Sequence, residues 1–504
     1  MNAPRTFAAT LAIALLATTA CDDPARAVAP SSADASADAS ADALAKDRDL
    51  DIAISTWPKQ VLAEFETELE AATKTSERIV DVQWRFPDGT LAQGSTIRHV
   101  FEREGVTAVL VRATTETGRV LQRQVSLKVT PGIAALGTVL SGVVPGGLHT
   151  CAIDAVAQLY CWGYNGNGTL GDGTRQHRYS PVQIGGSLSV SQVATGVGHS
   201  CLLTDAGAAY CWGKNESGQL GDGTTVDRDV PTPVLGGLTF TSIDVGNTHS
   251  CAVTAAGLAY CWGSNSLGQL GTGALSTEER QPALVAGGLA FSIVRSGYTH
   301  TCALQQTTGF AYCWGSNSVG QIGNGAGGNS ITDKVTIPTL VSGGNVYTQL
   351  DVGASHSCAV AANPSGKTWC WGWNGNGQLG LSTGEVCRTT LPCARTPQKL
   401  PSNMKLAAIT AGSRHTCGVT GAGDAYCWGG NAYGEVGDGT TVDRSAPTLI
   451  PNLQFKSIRA GRYFTCGVML DNTARCWGYN YFGMLGVGDD VNRLTPTPVP
   501  NLTF

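Results

Sequence analysis

Between residues 79 and 129 apolar and polar positions alternate with a period of two. Val80, Val82 and Trp84 alternate with Asp81 and Gln83, Val109 and Val111 with Leu110 and Arg112, and Val125, Leu127 and Val129 with Ser126 and Lys128. That period puts successive side chains on opposite faces of an extended chain, so each run predicts a half-buried β-strand. Pro87-Asp88-Gly89 and Glu116-Thr117-Gly118 supply turns between the runs. The segment Val61–Ala72 fits either a strand or a short helix. The start of the chain reads differently. Arg5 precedes an apolar run from Phe7 to Ala20, and small residues lead into Cys21. The run is short for a bilayer span and predicts a secretory leader over residues 1–20; no other segment is apolar for long enough to cross a membrane. Residues 21–50 hold a Ser-Ala-Asp-Ala repeat with nothing large to bury, which predicts a flexible tether.

From about residue 131 to 504 the pattern copies itself. Cysteine recurs at 151, 201, 251, 302, 358, 417 and 466, and each is followed 10 to 12 residues on by another, at 161, 211, 261, 313, 370, 427 and 476. The third unit reads Gly246-x-x-His249-Ser-Cys251, then Cys261-Trp262-Gly263-x-Asn265-x-x-Gly268-Gln-Leu-Gly271-x-Gly273. Cys-Trp-Gly-x-Asn occurs in all seven units. Repeats of about 50 residues, each with several short strands, suit the blades of a propeller, where radial closure hides the sheet edges. These residues resemble the regulator of chromosome condensation repeat, whose pattern is G-x-x-H-x-x-A-L followed by W-G-x-N-x-x-G-Q-L-G-x-G. The resemblance covers residues 137 to 504 and implies a seven-bladed β-propeller; the paired cysteines are additions that look typical of secreted bacterial members.

Two further resemblances concern the first part of the chain. Trp84-Arg-Phe-Pro-Asp-Gly-Thr, then His99-Val-Phe and Glu104-Gly105, is similar to a PKD-type immunoglobulin-like domain, with Pro87 where that family has glycine. It implies a small immunoglobulin-like β-sandwich over residues 51–130. The expected fold is therefore all-β, with this sandwich preceding a seven-bladed propeller. Thr18-Thr19-Ala20-Cys21 resembles a bacterial lipoprotein cleavage box, which has leucine where Thr18 stands. It implies removal of residues 1–20 and a lipid on Cys21; secretion with cleavage nearby is the alternative.

Composition narrows the function. Charged residues are 14% of the chain and the net charge is −5, which removes the basic excess that nucleic-acid binding needs. Seventeen cysteines are too many for a reducing compartment. If Cys251 opposes Cys261 on an antiparallel hairpin, residues 252 and 260, 253 and 259, and 254 and 258 also pair. That leaves the loop Ala255-Ala256-Gly257, with glycine where a three-residue loop needs a left-handed residue. Gly207 and Gly423 fall on the same position, as does Asn472; Gly309 and Gly366 close longer loops, and Ala157 in the first unit is left without an explanation. Opposed cysteines can be bridged. The expectation is seven cross-strand disulfides: Cys151 with Cys161, Cys201 with Cys211, Cys251 with Cys261, Cys302 with Cys313, Cys358 with Cys370, Cys417 with Cys427, and Cys466 with Cys476. Cys387 with Cys393 makes an eighth, and Cys21 is left over. Free buried thiols are the alternative. Zinc needs closer cysteine pairs than any present.

No nucleophile–base set, paired carboxylates or metal cluster stands out from the repeats, so no catalytic residue, cofactor or metal is expected. His149, His199, His249, His300, His356 and His415 share one repeat position, with Phe464 in the seventh unit; the expected role is a structural hydrogen bond to the adjacent turn. The Cys-Trp-Gly tryptophans should pack within blades and the asparagines that follow them should hold turns. Units differ in the turns after Cys-Trp-Gly. Tyr164, Trp373, Tyr433, Tyr479, Tyr481 and Phe482 stand there in units five, six, seven and one, which adjoin on a closed ring. They form a candidate binding arc for a protein or a glycan, and local packing is the rival reading. The family resemblance also implies guanine-nucleotide exchange on a small GTPase, a role that export and acidity oppose, or inhibition of an extracellular enzyme such as a β-lactamase. The expected molecule is an exported, monomeric binding propeller, either lipid-anchored in the periplasm or at the cell surface, or freely secreted.

Overall fold

The computed structural model describes residues 52–57, 66–73, 78–100, 105–129, 142–153, 158–186, 188–361, 367–401 and 404–503. The leader, Cys21, the tether, Ala157 and Gly366 lie outside these residues. Every element among them is a strand.

The N-terminal part holds two sheets. Ile52–Trp57, Glu66–Thr73 and Thr96–Val100 form one; Leu91–Gln93, Ile79–Arg85, Gly105–Thr115 and Val120–Val129 form the other, in that order. The described end of the Val61–Ala72 segment is therefore a strand. Val82, Trp84, Val109 and Val111 are buried as the alternation requires, but Val80 is 60% exposed. A bulge between Ile79 and Asp81 adds one residue to that strand and turns Val80 to the other face. The turn at Pro87 closes with Gly89 N donating to the Phe86 carbonyl (3.0 Å), and the Trp84 indole donates to the Gly94 carbonyl (2.8 Å).

Residues 142–503 build seven four-stranded antiparallel units around a ring. The third blade shows the plan: Ser242–Val245 is innermost, followed outward by His249–Val253, Ala259–Ser264 and Glu278–Leu284. The fifth blade adds Glu385–Cys387 beyond Leu391–Lys399, and one long strand, Arg444–Ala460, leaves the sixth blade and enters the seventh. Blade one, Gly142–Pro145 to Arg178–Ile184, and blade seven, ending in Arg493–Thr503, each hold a full set of four strands, so no described strand is exchanged where the ring closes.

The hairpin that carries the cysteines has Cys251 opposite Cys261, Ala252 opposite Tyr260 and Val253 opposite Ala259. Gly257 closes its loop at φ +79°, donating to the Thr254 carbonyl (2.9 Å), and Asn472 does the same in blade seven at φ +64°. The sulfurs are bonded in Cys151–Cys161, Cys201–Cys211, Cys251–Cys261 and Cys302–Cys313, and likewise in Cys358–Cys370, Cys417–Cys427 and Cys466–Cys476. Their Cα atoms stand 4.0–4.1 Å apart, as directly opposed strand positions require. Cys387–Cys393 is bonded too, across the inserted loop of blade five, at a wider Cα separation of 5.8 Å. All of these cysteines are fully buried. The seven cross-strand pairs lie in the layers between blades. Cys201, Leu203, Cys211 and Leu220 of blade two meet Phe240, Ile243, Ala252 and Trp262 at blade three, and each junction repeats this scheme. Gly271 shows why the repeat is rich in glycine: at φ +69°, a Cβ there would stand 2.7 Å from the indole nitrogen of Trp314 in the next blade.

A ladder of polar contacts ties neighbouring blades. Each tryptophan indole donates to a main-chain carbonyl of the blade before it, as Trp262 does to Gln219 (2.9 Å) and Trp314 to Gln269 (3.0 Å). The same carbonyl accepts a Ser or Thr hydroxyl, from Ser250 and Thr301 respectively (2.8 Å each). Because that hydroxyl proton is committed, its oxygen accepts from the histidine of the preceding blade. His149 pairs with Ser200 (2.6 Å), His199 with Ser250 (2.9 Å), His249 with Thr301 (2.9 Å), His300 with Ser357 (3.0 Å), His356 with Thr416 (2.9 Å) and His415 with Thr465 (2.9 Å). The histidines therefore reach across the junction rather than to the adjacent turn. Burial pushes His149 and His249 down to about 4 and the other four to about 3, so all six imidazoles are neutral. The asparagines hold the turns: Asn215 accepts from Leu220 N (3.0 Å) and donates to Asp222 (3.1 Å).

Candidate protein-binding face

The Gly-x-x-His loop and the turn after Cys-Trp-Gly lie side by side in every blade. The residue after Cys-Trp-Gly donates its N–H to the residue before the histidine position: Tyr164 to Leu148 (2.9 Å), Trp373 to Ser355 (2.9 Å), Gly430 to Arg414 (2.7 Å) and Tyr479 to Tyr463 (3.0 Å). The hairpin register thus places two sets of variable side chains on one face of the ring.

Five of the six candidate arc residues form one train of contacting rings. Tyr433 meets Tyr479 (centroids 4.7 Å apart), Tyr479 lies near-parallel to Tyr481 (6.4 Å), Tyr481 meets Phe482 edge-on (4.9 Å), and Phe482 meets Tyr164 (5.0 Å). Tyr481 is 60% exposed and Tyr433 36%, while Tyr164, Tyr479 and Phe482 are half-buried. Trp373 stands apart from the train. Its ring packs on the Cys387–Cys393 loop and carries the Arg414 guanidinium at 5.7 Å.

The structure adds residues that the turns alone did not reveal. Tyr463 touches both Tyr433 (5.5 Å) and Tyr479 (6.2 Å), and His177 touches both Tyr164 and Phe482 (5.0 Å each). Arg462 lies over Tyr463 (4.8 Å) and over Tyr298 at the rim of the central channel (5.8 Å). Tyr463, Arg462, Arg414 and Tyr298 come from the Gly-x-x-His loops. The signal for them was present in the hairpin: Cys251 opposes Cys261 and His249 opposes Gly263, so one step further out residue 248 must face residue 264.

Electrostatics keep this face neutral in its rings and positive at its edges. Burial and the neighbouring tyrosines hold the Tyr479 phenol above its usual range, and burial lowers the His177 imidazole. The N–H of Asn165 donates to His177 Nδ1 (3.0 Å), which leaves Nε2 as the donor of the neutral ring. Behind Tyr433 sits Glu435, where blades two to five have glutamine. It accepts from Tyr433 N (2.7 Å), is 4% exposed, and burial raises it to about 7. The arc sets no nucleophile beside a base, and among the described residues no three His, Cys, Asp or Glu side chains converge as a metal site.

Such a ring of four-stranded blades, with variable loops gathered on one face, defines a β-propeller. The chain belongs to the regulator of chromosome condensation (RCC1) repeat family, whose model matches residues 157–203, 206–253, 256–304, 308–360, 365–419 and 422–468, and a PKD domain model matches residues 52–130. It is 30% identical over 165 residues to the ultraviolet-B receptor UVR8 of Arabidopsis thaliana, a stretch that covers 32% of this chain and 35% of that one. It is 31% identical over 183 residues to the human E3 ubiquitin-protein ligase HERC2, covering 35% of this chain and 4% of that protein. The matches span about a third or less of these relatives. Among solved structures, Prp20p from Saccharomyces cerevisiae superposes with a TM-score of 0.58 at 21% identity, over 68% of this chain and 85% of that one. Human WBSCR16 gives 0.57 at 21%, over 68% and 89%.

Proposed function

We propose that this chain is a non-enzymatic binding propeller that works outside the cytoplasm as a monomer, held to a membrane by a lipid on Cys21. Its partner is a protein, gripped by the ring train of blades six, seven and one together with Arg414 and Arg462. The observation that carries this reading is the train itself: contacting tyrosines and a phenylalanine, partly exposed, with the Arg462 guanidinium over Tyr463 beside them and the Arg414 guanidinium over Trp373 elsewhere on the same face. Tyr, Trp and Arg side chains supply most of the energy at protein interfaces. The two cations favour a partner that presents carboxylates among apolar side chains. Eight disulfides suit an oxidising compartment. Structures of this fold include yeast RCC1 bound to Kap60 and Prp20p, described with its binding to Gsp1p and histones, and those partnerships belong to those proteins.

The test is crosslinking and affinity capture from envelope extracts with the full chain, repeated with the double variant Tyr433→Ala/Tyr481→Ala. Leu470→Ala, in the hairpin turn at the opposite end of blade seven and 55% exposed, is the control. A protein captured by wild type and by the control but lost with the double variant supports the reading. Capture that survives the double variant, or a carbohydrate as the only bound species, overturns it. Nucleotide release from a small GTPase and inhibition of a β-lactamase read out the two rival functions directly.

A further inference from the structure

In every blade the N–H of the asparagine after Cys-Trp-Gly finds an acceptor on the loop that follows. Blades two and six use a carboxylate, Asp227 for Asn215 (2.8 Å) and Asp443 for Asn431 (2.9 Å). Blade seven uses an amide, Asn492 for Asn480 (2.8 Å). Blades three, four and five use the main-chain carbonyls of Thr277 (3.3 Å), Asp333 (2.7 Å) and Pro392 (2.9 Å). Blade one uses an imidazole instead: Asn165 N donates to His177 Nδ1 (3.0 Å). Carboxylates, amides and carbonyls stay acceptors through mild acid. An imidazole does not, because protonation makes both of its nitrogens donors.

This exception stands on the aromatic face. His177, Tyr164 and Phe482 form a triangle of rings, each pair of centroids 5.0 Å apart, across the junction of blades seven and one. Tyr164 and Phe482 flank the imidazole, and Tyr481 lies beyond Phe482 (4.9 Å). The charged groups around it are bonded elsewhere. Arg178 holds Asp172 (2.7 Å), Arg175 holds Asp229 (3.0 Å), and Asp227 of blade two accepts from Asn167 (3.3 Å). Burial lowers the imidazole. Asn165 is itself fully buried, and its side chain fixes the turn by accepting from Leu170 N (2.9 Å) and donating to Asp172 (2.9 Å). A proton on Nδ1 sets two donors against each other at this turn. The imidazolium regains a full shell of acceptors by swinging out to water, and that movement breaks the triangle.

We infer that His177 is a positioning residue that opens the blade-one end of the aromatic face in mild acid, so that a protein partner held at neutral pH is released on acidification. The inference rests on the reading of that face as a binding site. The neutral ring holds this end fully above the unfolded value of 6.5, and the hold drains away as pH falls toward the lowered folded value.

Hydrogen exchange of the full chain at about pH 7.5 and about pH 5.8, resolved to single amides by mass spectrometry, tests the switch without a partner. Asn215 and Asn431 are references within the same molecule, since their N–H groups bond carboxylates at the equivalent position. Protection of the Asn165 amide relative to theirs should fall about threefold or more in acid. In His177→Asp, which copies blades two and six, the relative protection should stay level. A level ratio in wild type, or an equal fall in the variant, overturns the inference; the wild-type comparison needs no variant to fold. Affinity capture from envelope extracts at the same two pH values is the second arm. Wild-type capture should fall about threefold or more in acid, and the ratio between the two pH values should approach one in His177→Asp, whatever its absolute level. Wild-type capture that is equal at both pH values also overturns the inference. Loss of protection at Asn165 with nothing captured at neutral pH overturns the reading of the face as a binding site, while the acid-driven opening stands.

Discussion

The ring has seven junctions between blades, made in two ways. At six of them an imidazole crosses to a hydroxyl on the next blade, and that hydroxyl donates its own proton to a carbonyl behind it. At the seventh, between blades seven and one, Phe464 fills the histidine position and is fully buried. Thr150 still donates to the Met484 carbonyl (2.7 Å), and Trp162 donates to the same oxygen (3.0 Å), but no ring nitrogen meets that hydroxyl. What crosses this junction in addition is aromatic and lies on the outer face: Phe482 against Tyr164 and His177. Indole and hydroxyl together are therefore enough to close the ring. The imidazole is an addition, and the junction that lacks it is one of the two that the train of rings crosses.

Acid should separate the two kinds of junction most strongly. The six histidines have folded values of about 3 to 4 against 6.5 in the unfolded chain. Below pH 6.5 the unfolded chain binds more protons, so the stability held by the neutral rings is complete above that pH and drains away as pH falls toward the folded values. Each ring forfeits roughly 2 kcal/mol by pH 5, on the order of 10 kcal/mol for the set. That rivals the whole stability of a typical domain, about 5–15 kcal/mol. Near-ultraviolet circular dichroism should show cooperative loss of packing between about pH 5.5 and 4. A tertiary signal unchanged down to pH 3 would remove the histidines from the account.

A pair of isosteric substitutions isolates the imidazole itself. Thr301→Val leaves the His249 Nε2 proton buried without an acceptor, whereas Thr150→Val leaves only a carbonyl that Trp162 still satisfies. The expected costs are about 2–3 kcal/mol for the first and about 1 kcal/mol or less for the second, read from denaturant unfolding. Equal costs would mean that the junctions differ in name only.

Glu435 offers a narrower contrast, within the ladder. Gln219, Gln269, Gln321 and Gln378 occupy its position in blades two to five, and burial raises its carboxyl to about 7. Its folded value lies above the unfolded one, so its contribution is complete below about pH 4.5 and is lost as pH rises through 7. Glu435→Gln should therefore raise stability by up to about 3 kcal/mol at pH 8 and change it little at pH 4.5. A gain of the same size at both pH values would show packing, not charge, to be responsible.

The ladder and the face were unequally legible in the sequence. Cys151, His149, Trp162 and their copies recur because each fills the same geometry around the ring, and recurrence is what a single sequence displays. The hairpin turn at Gly257 followed from the cysteine spacing alone, and with it the pairing of Cys417 with Cys427 and of Cys466 with Cys476 in the later blades. The partner of each histidine did not, because the hydroxyl that meets it is some 50 to 60 residues away on another blade, and nothing local marks that distance. Val80 misled because a bulge shifts a strand by one residue without changing its composition. On the face, Tyr433, Tyr479, Tyr481, Phe482 and Tyr164 were found because their turns depart from the repeat. Tyr463 and Arg462 went unnoticed because they sit beside Phe464, in a loop whose other copies looked structural. Trp373 shared the sequence position of the arc but not its contacts, since the inserted Cys387–Cys393 loop covers it.

The smallest effect on stability should fall on Tyr481, and for that reason it is the sharpest probe of the face. Its ring is mostly in water and touches only Tyr479 and Phe482 among the aromatics. Removing it with Tyr481→Ala leaves no buried cavity and no orphaned hydrogen bond, so unfolding should shift by less than about 1 kcal/mol. A side chain that does so little for its own fold can be costly to lose at an interface. Partner binding should weaken by tenfold or more, which is about 1.4 kcal/mol. Leu470→Ala, equally exposed at the other end of the same blade, should leave both quantities within about 0.5 kcal/mol of wild type. If Tyr481→Ala instead destabilises the ring as much as Thr301→Val does, the train of rings is a brace for the closing junction, and the binding face must be sought elsewhere on the propeller.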